Sequence, residues 1–121
     1  MRFVVEGGQF VSDRFPYIRV SIDLAGFSDE FEALVDTGFE GDLALPPAQV
    51  GGLPPDRYSR WVLANGSEIL APVHDGRLTV GGFPALAVSV LAVGGQPILG
   101  RGVTDRFLLI LDRGREVRLQ L

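Results

Sequence analysis

The 121-residue sequence predicts a single all-β domain, and three features of it do so. Apolar residues recur mostly at every second position in short runs, rather than at the 3.6-residue spacing of a helix. Sixteen glycines and eight prolines close these runs, so the chain turns often. Apolar residues make up 46% and charged residues 21%, enough to build one core beneath a wet surface, and the length suits one domain over residues 1–121.

Tyr17–Leu24 is the clearest strand, because Ile18, Val20, Ile22 and Leu24 alternate with Arg19, Ser21 and Asp23. A second strand is expected at Phe31–Val35, joined through a hairpin connection over Ala25–Asp29 that makes the two antiparallel neighbours. Pro46-Pro47 can open a helical turn that Gly51 ends, since proline fits a first helical position. Trp61–Ala64 and Glu68–Val73 flank Asn65-Gly66, whose tolerance of positive φ predicts a type I′ hairpin turn. Strands follow at Arg77–Val80, Leu86–Val93 and Leu108–Leu111. A second helical scrap is expected at about Gly102–Phe107, and Glu116–Leu121 alternates once more, with Val117, Leu119 and Leu121 offering an edge to pair. Val-Gly-Gly recurs at Val50, Val80 and Val93, but the uneven spacing reads as reused turns, and none precedes a long helix as a phosphate loop would.

Fifteen acidic residues outnumber eleven basic ones, all arginine, for a net charge of -4. No basic run stands against an aromatic stripe, which argues against nucleic acid and anionic membranes as partners. With no cysteine and one histidine, disulfides, thiolate or multi-histidine metal sites and cysteine nucleophiles are excluded, and no metal or organic cofactor is expected. The apolar run in Met1–Gly8 is too short for a secretory signal, and Ala85–Val93 is about half a membrane span, so a cytoplasmic location without a transmembrane helix is expected. His74 beside Asp75 reads as a loop histidine, there being no serine elbow to complete a triad, and Tyr58 and Trp61 read as packing residues.

The chemistry concentrates in Ala33-Leu34-Val35-Asp36-Thr37-Gly38-Phe39-Glu40-Gly41-Asp42-Leu43. A carboxylate directly after an apolar strand is costly unless hydrogen bonds or a partner hold it. Asp-Thr-Gly by itself is most often an Asx turn. A second apolar-apolar-glycine unit, Pro97-Ile98-Leu99-Gly100-Arg101, follows beyond the Asn65-Gly66 hairpin and leads into a short helical pattern and a final strand.

From Pro16 to Leu121 this order of parts resembles the retropepsin-like aspartic proteases, or clan AA, and within them a microbial single-domain branch with Asp-Thr-Gly-Phe. The resemblance implies a closed barrel of short antiparallel strands with a flap hairpin and one short C-terminal helix. It makes Asp36 the catalytic carboxylate, Thr37 the hydroxyl that locks two catalytic loops together, and Gly38 the residue that lets a substrate backbone approach. Phe39, with Ala64, Asn65 and Gly66 of the flap, would contact substrate, while Ile98, Leu99, Gly100 and Arg101 would support the site. Arg101 either ties the helix to Glu40 or Asp42 or forms an exposed pair of little worth.

Retroviral enzymes usually carry alanine or serine after the glycine and a glycine-rich flap tip, so Phe39 and the plain Asn65-Gly66 tip alter the expected peptide specificity. Amide hydrolysis of this kind needs two carboxylates and the chain carries one motif, so the resemblance implies a homodimeric endopeptidase acting on a peptide or protein. The alternatives are a non-catalytic retropepsin-like dimerisation or peptide-binding module, and a stand-alone β-barrel with Asp36 in a structural turn.

Overall fold

In a computed structural model residues 8–121 are described, and the reading of the first seven residues as lacking a secretory signal lies outside them. Ten strands and one short helix follow in the order β1 (Gln9–Ser12), β2 (Tyr17–Leu24), β3 (Phe27–Val35), β4 (Leu43–Leu45), β5 (Arg57–Val62), β6 (Glu68–Thr79), β7 (Leu86–Ala92), β8 (Ile98–Leu99), α1 (Arg101–Thr104), β9 (Leu108–Asp112) and β10 (Glu116–Gln120). Hydrogen bonding runs β2-β3-β8-β4-β7-β6 and closes on itself where Ser21, Ile22 and Asp23 pair Thr79, Leu78 and Arg77, giving a six-stranded barrel. β5 hangs on the outer edge of β6. No helix among the described residues is long and apolar enough to cross a membrane.

The inward residues of β2 fill the barrel as their alternation demands: Ile18, Val20 and Ile22 are buried beside Leu43, Leu45, Leu78, Val90 and Leu99. A second, smaller cluster of Ala44, Ala71, Val73 and Leu91 lies outside this core, and Phe39, Trp61, Ile69, Val93 and Ile98 pack against it.

Several elements depart from expectation. β3 starts at Phe27 rather than Phe31, because Phe27 and Phe31 both pack on the core and a two-residue turn leaves Leu24 opposite Phe27. The strands expected at Glu68–Val73 and Arg77–Val80 are one strand, β6, whose ladder with β7 runs unbroken through His74, Asp75 and Gly76. His74 is therefore a buried strand residue and not a loop histidine. The second helical segment begins one residue earlier and ends sooner than expected, at Arg101–Thr104, while the turn at Pro47–Val50 ends at Gly51 as expected.

The C-terminal strand is not an edge. β10 lies between β1 and β9 in a separate three-stranded sheet, and Val117 and Leu119 point into the core with no exposed surface. β1 and β9 are the edges instead, and Leu108 and Leu111 on β9 stay 56% and 46% exposed.

Candidate active site

β3 delivers Asp36. Its last residues run parallel to β8, Leu34 opposite Ile98 and Val35 opposite Leu99, and the ladder ends where the Asp36 amide donates to the Leu99 carbonyl at 3.0 Å. The chain then turns, with Phe39 N–H donating to the Asp36 carbonyl at 3.2 Å and Gly38 N–H to Asp36 Oδ1 at 2.8 Å. The carboxylate is half-buried and one oxygen is fixed by an amide, the Asx arrangement that short acidic side chains favour. Thr37 and Gly38 are exposed beside it.

The loop is tied to the second glycine unit by main chain alone. Arg101 N–H donates to the Phe39 carbonyl at 2.8 Å, Gly100 N–H to that of Asp42 at 2.9 Å and Gly102 N–H to that of Gly41 at 3.0 Å. Only glycine allows this approach, since a Cβ on Gly100 would stand 2.1 Å from the Gly41 carbonyl oxygen and 2.5 Å from Phe39 Cδ2. The Phe39 ring lies over both glycines, for a Cβ on Gly41 would fall 2.4 Å from its Cζ. The expected bond from Arg101 to Glu40 or Asp42 is absent: the guanidinium reaches Asp105 one helical turn on, at 3.4 Å, in an exposed pair of small value. Asp42 is occupied elsewhere, accepting the Ser89 amide at 2.8 Å.

The flap is the β5–β6 hairpin, closed by Leu63 N–H to the Ser67 carbonyl (2.8 Å) and Gly66 N–H to the Leu63 carbonyl (2.9 Å). Gly66 has φ +84° but Asn65 does not have positive φ, so the tip is a three-residue loop of the type I plus bulge kind and not the expected type I′ turn. The Asn65 side chain decides this: its Oδ1 accepts both Ser67 N–H (2.9 Å) and Ser67 Oγ–H (2.6 Å), which holds Asn65 in the ordinary φ region. Odd-numbered residues of β5 face inward, with Arg57, Ser59 and Trp61 opposite Val73, Ala71 and Ile69. Tyr58 points out and is 59% exposed, so it is no packing residue.

Between flap and loop lies a cleft of about 280 Å³. Asp36, Gly38 and Phe39 form one side, Trp61–Ala64 the flap side, and Ala44, Ile69, Leu91 and Ile98 the floor. Of the residues expected to make a site, Asp36, Gly38, Phe39, Ala64 and Ile98 thus share one cleft. Asn65 and Gly66 do not line it, Leu99 is buried beneath, and Gly100 and Arg101 act through their backbone. Trp61, Ile69 and Leu91 line it unannounced, because the face of β5 that carries Trp61 is set by its pairing with Ile69 across the hairpin. Among the described residues no group of three His, Cys, Asp or Glu side chains is placed to hold a metal ion.

The sequence matches no protein-family model and no curated protein. In shape the chain is similar to a retropepsin-like aspartic protease from Rickettsia conorii, at 20% identity and a TM-score of 0.60, over 98% of this chain and 95% of that one. It is also similar to the simian foamy virus (mac) protease, at 19% identity and a TM-score of 0.54, over 74% of this chain and 91% of that one. The chain has the retropepsin-like fold. In this chain the closed ring of strands, the β5–β6 hairpin and the loop bearing Asp36 are one assembly, and the short helix α1 directly follows the glycine unit that braces that loop.

Proposed function

We propose that this retropepsin-like protein is an aspartic endopeptidase that acts as a homodimer. The observation that carries the reading is Asp36 itself: a half-buried carboxylate at the end of a core strand, opening into an apolar cleft under a hairpin flap. One carboxylate cannot be acid and base at once, so two copies bring their Asp36 residues together across a two-fold axis. The ionised member takes a proton from water, whose oxygen attacks the peptide carbonyl carbon. The protonated member gives its proton to the carbonyl oxygen, and collapse of the tetrahedral species breaks the C–N bond as the amine leaves protonated. Turnover needs one charged and one neutral carboxylate, so the rate falls at both ends of the pH scale. In the dimer the exposed Thr37 hydroxyl bridges the two loops, Gly38 leaves room for substrate backbone, and Ala64, Asn65 and Gly66 close over an extended peptide in the cytoplasm. No metal or organic cofactor is required.

The test is digestion of a mixed peptide library, read by mass spectrometry. Cleavage by the parent and none by Asp36→Asn supports the reading; cleavage by both removes Asp36 as catalyst. The alternative, a non-catalytic module that grips peptides, is favoured by β5, an edge strand to which an extended chain can add. Peptide binding with no cleavage by the parent at any pH selects it.

A further inference from the structure

Trp61 lies where three depressions meet. It lines the 280 Å³ cleft that holds Asp36, a neighbouring one of about 270 Å³, and an open groove that passes over Glu40 and Arg60. The first two differ in chemistry. The Asp36 cleft is floored by Ala44, Ile69, Leu91 and Ile98, whereas the one behind Trp61 sets Glu40, Asp42, Arg57 and Ser59 beside the apolar Val73 and Leu91. Three of its polar residues are engaged: Arg57 donates to Asp75 Oδ1 at 2.7 Å and to Ser89 Oγ at 2.9 Å, and Asp42 accepts from Ser89 N–H. Trp61 and Leu91 are the residues common to both linings, so the indole is the larger part of the wall between them.

The wall is fixed by ring packing. The indole meets Phe39 at 5.5 Å between centroids, Phe39 is seated over Gly41 and Gly100, and Trp61 Nε1–H is buried with no acceptor among the described residues.

We infer that Trp61 is a specificity-determining residue, a partition that limits the apolar cleft to one medium-sized aliphatic side chain of the peptide. The inference rests on the peptide-binding part of the proposed function. A larger side chain that displaces the indole enters the neighbouring depression, where it strips water from Glu40, Asp42 and Arg57 and returns no hydrogen bonds. A cleft near the low end of ligand-pocket volumes takes one side chain and not a whole ligand. Hydrophobic pockets discriminate by size about tenfold or more per misfitting group, which sets the expected scale.

The experiment uses full-length protein carrying Asp36→Asn, so that binding is read without turnover, and two fluorescein-labelled, end-capped octapeptides identical except for leucine or 2-naphthylalanine at one central position. Fluorescence anisotropy gives their dissociation constants. With Trp61 present, leucine binds about tenfold tighter or more. Trp61→Ala brings the ratio to within about threefold by improving the naphthyl peptide, and Trp61→Phe, which keeps a ring against Phe39 and lacks the unused donor, retains most of the preference. Trp61→Leu replaces the alanine variant if circular dichroism shows that one unfolded. An unchanged ratio in a folded variant, or an equal loss for both peptides, overturns the partition and leaves the proposed function standing. Failure of every protein to bind either peptide overturns both.

Discussion

Phe39 and Trp61 touch ring to ring, inclined at 47°, and so join the loop that bears Asp36 to the inner face of the flap strand β5. Among the described residues the contact is the one place where a flap side chain rests on that loop through an aromatic pair, and it couples two segments far apart in sequence.

A double-mutant cycle measures that coupling. Phe39→Leu and Trp61→Leu each lower stability in urea unfolding, and the double variant loses less than the sum by about 0.5–1.5 kcal/mol, the usual worth of an aromatic pair beyond its buried area. Strict additivity would show that the rings are neighbours without interaction.

Gly100→Ala pushes a methyl group into the Gly41 carbonyl and the Phe39 ring, neither of which can yield without opening the loop. A stability loss of about 1–3 kcal/mol or more is expected, together with loss of turnover. Gly95→Ala is the control, because a Cβ there meets nothing within 4 Å. Equal unfolding midpoints for the two variants would refute the close approach.

At the flap tip the cost is conformational. Gly66 stands at φ +84° with nothing within 4 Å of a Cβ, so Gly66→Val strains the backbone by about 1–2 kcal/mol and clashes with nothing. A melting-temperature drop of a few degrees should accompany a much larger fall in kcat/KM for a cleavable peptide. Unchanged kcat/KM would make the hairpin a surface loop.

The proposed homodimer can be tested at β9. Its Leu108–Leu111 run carries no charge or proline to guard an open edge, and the stretch Gly100–Phe107 separates it from Leu99, the residue bonded to Asp36. Leu108→Lys with Leu111→Lys should shift sedimentation equilibrium toward monomer by tenfold or more in dissociation constant, about 1.4 kcal/mol, and reduce turnover in step. Asp36→Asn should stay dimeric. A dimer indifferent to both lysines places the interface elsewhere.

The fold was legible at β2, β7 and β10, while β6 was read as two strands and β3 only from Phe31. β4 and β8 were not legible, because three and two residues show no period and every β4 residue is buried, so no polar face marks it. Asp36 could be read because an acid after an apolar strand needs a reason. Trp61 could not, since which way it points depends on its pairing with Ile69 across the hairpin. Of the two readings of Arg101 the tie to Glu40 or Asp42 failed for a related cause: a guanidinium is visible in a sequence, while the amides that brace the loop belong to every residue alike.

That bracing has an evolutionary consequence. Because the cradle around Asp36 is held by peptide groups of Phe39, Gly41, Asp42 and the residues of the second glycine unit, most side chains around it are free to drift while the geometry persists. Only a site where a methyl group cannot fit, such as Gly100, is locked to one letter. A site built this way constrains spelling less than shape, which suits a chain that has the retropepsin-like fold at only 19–20% identity to solved structures of that shape.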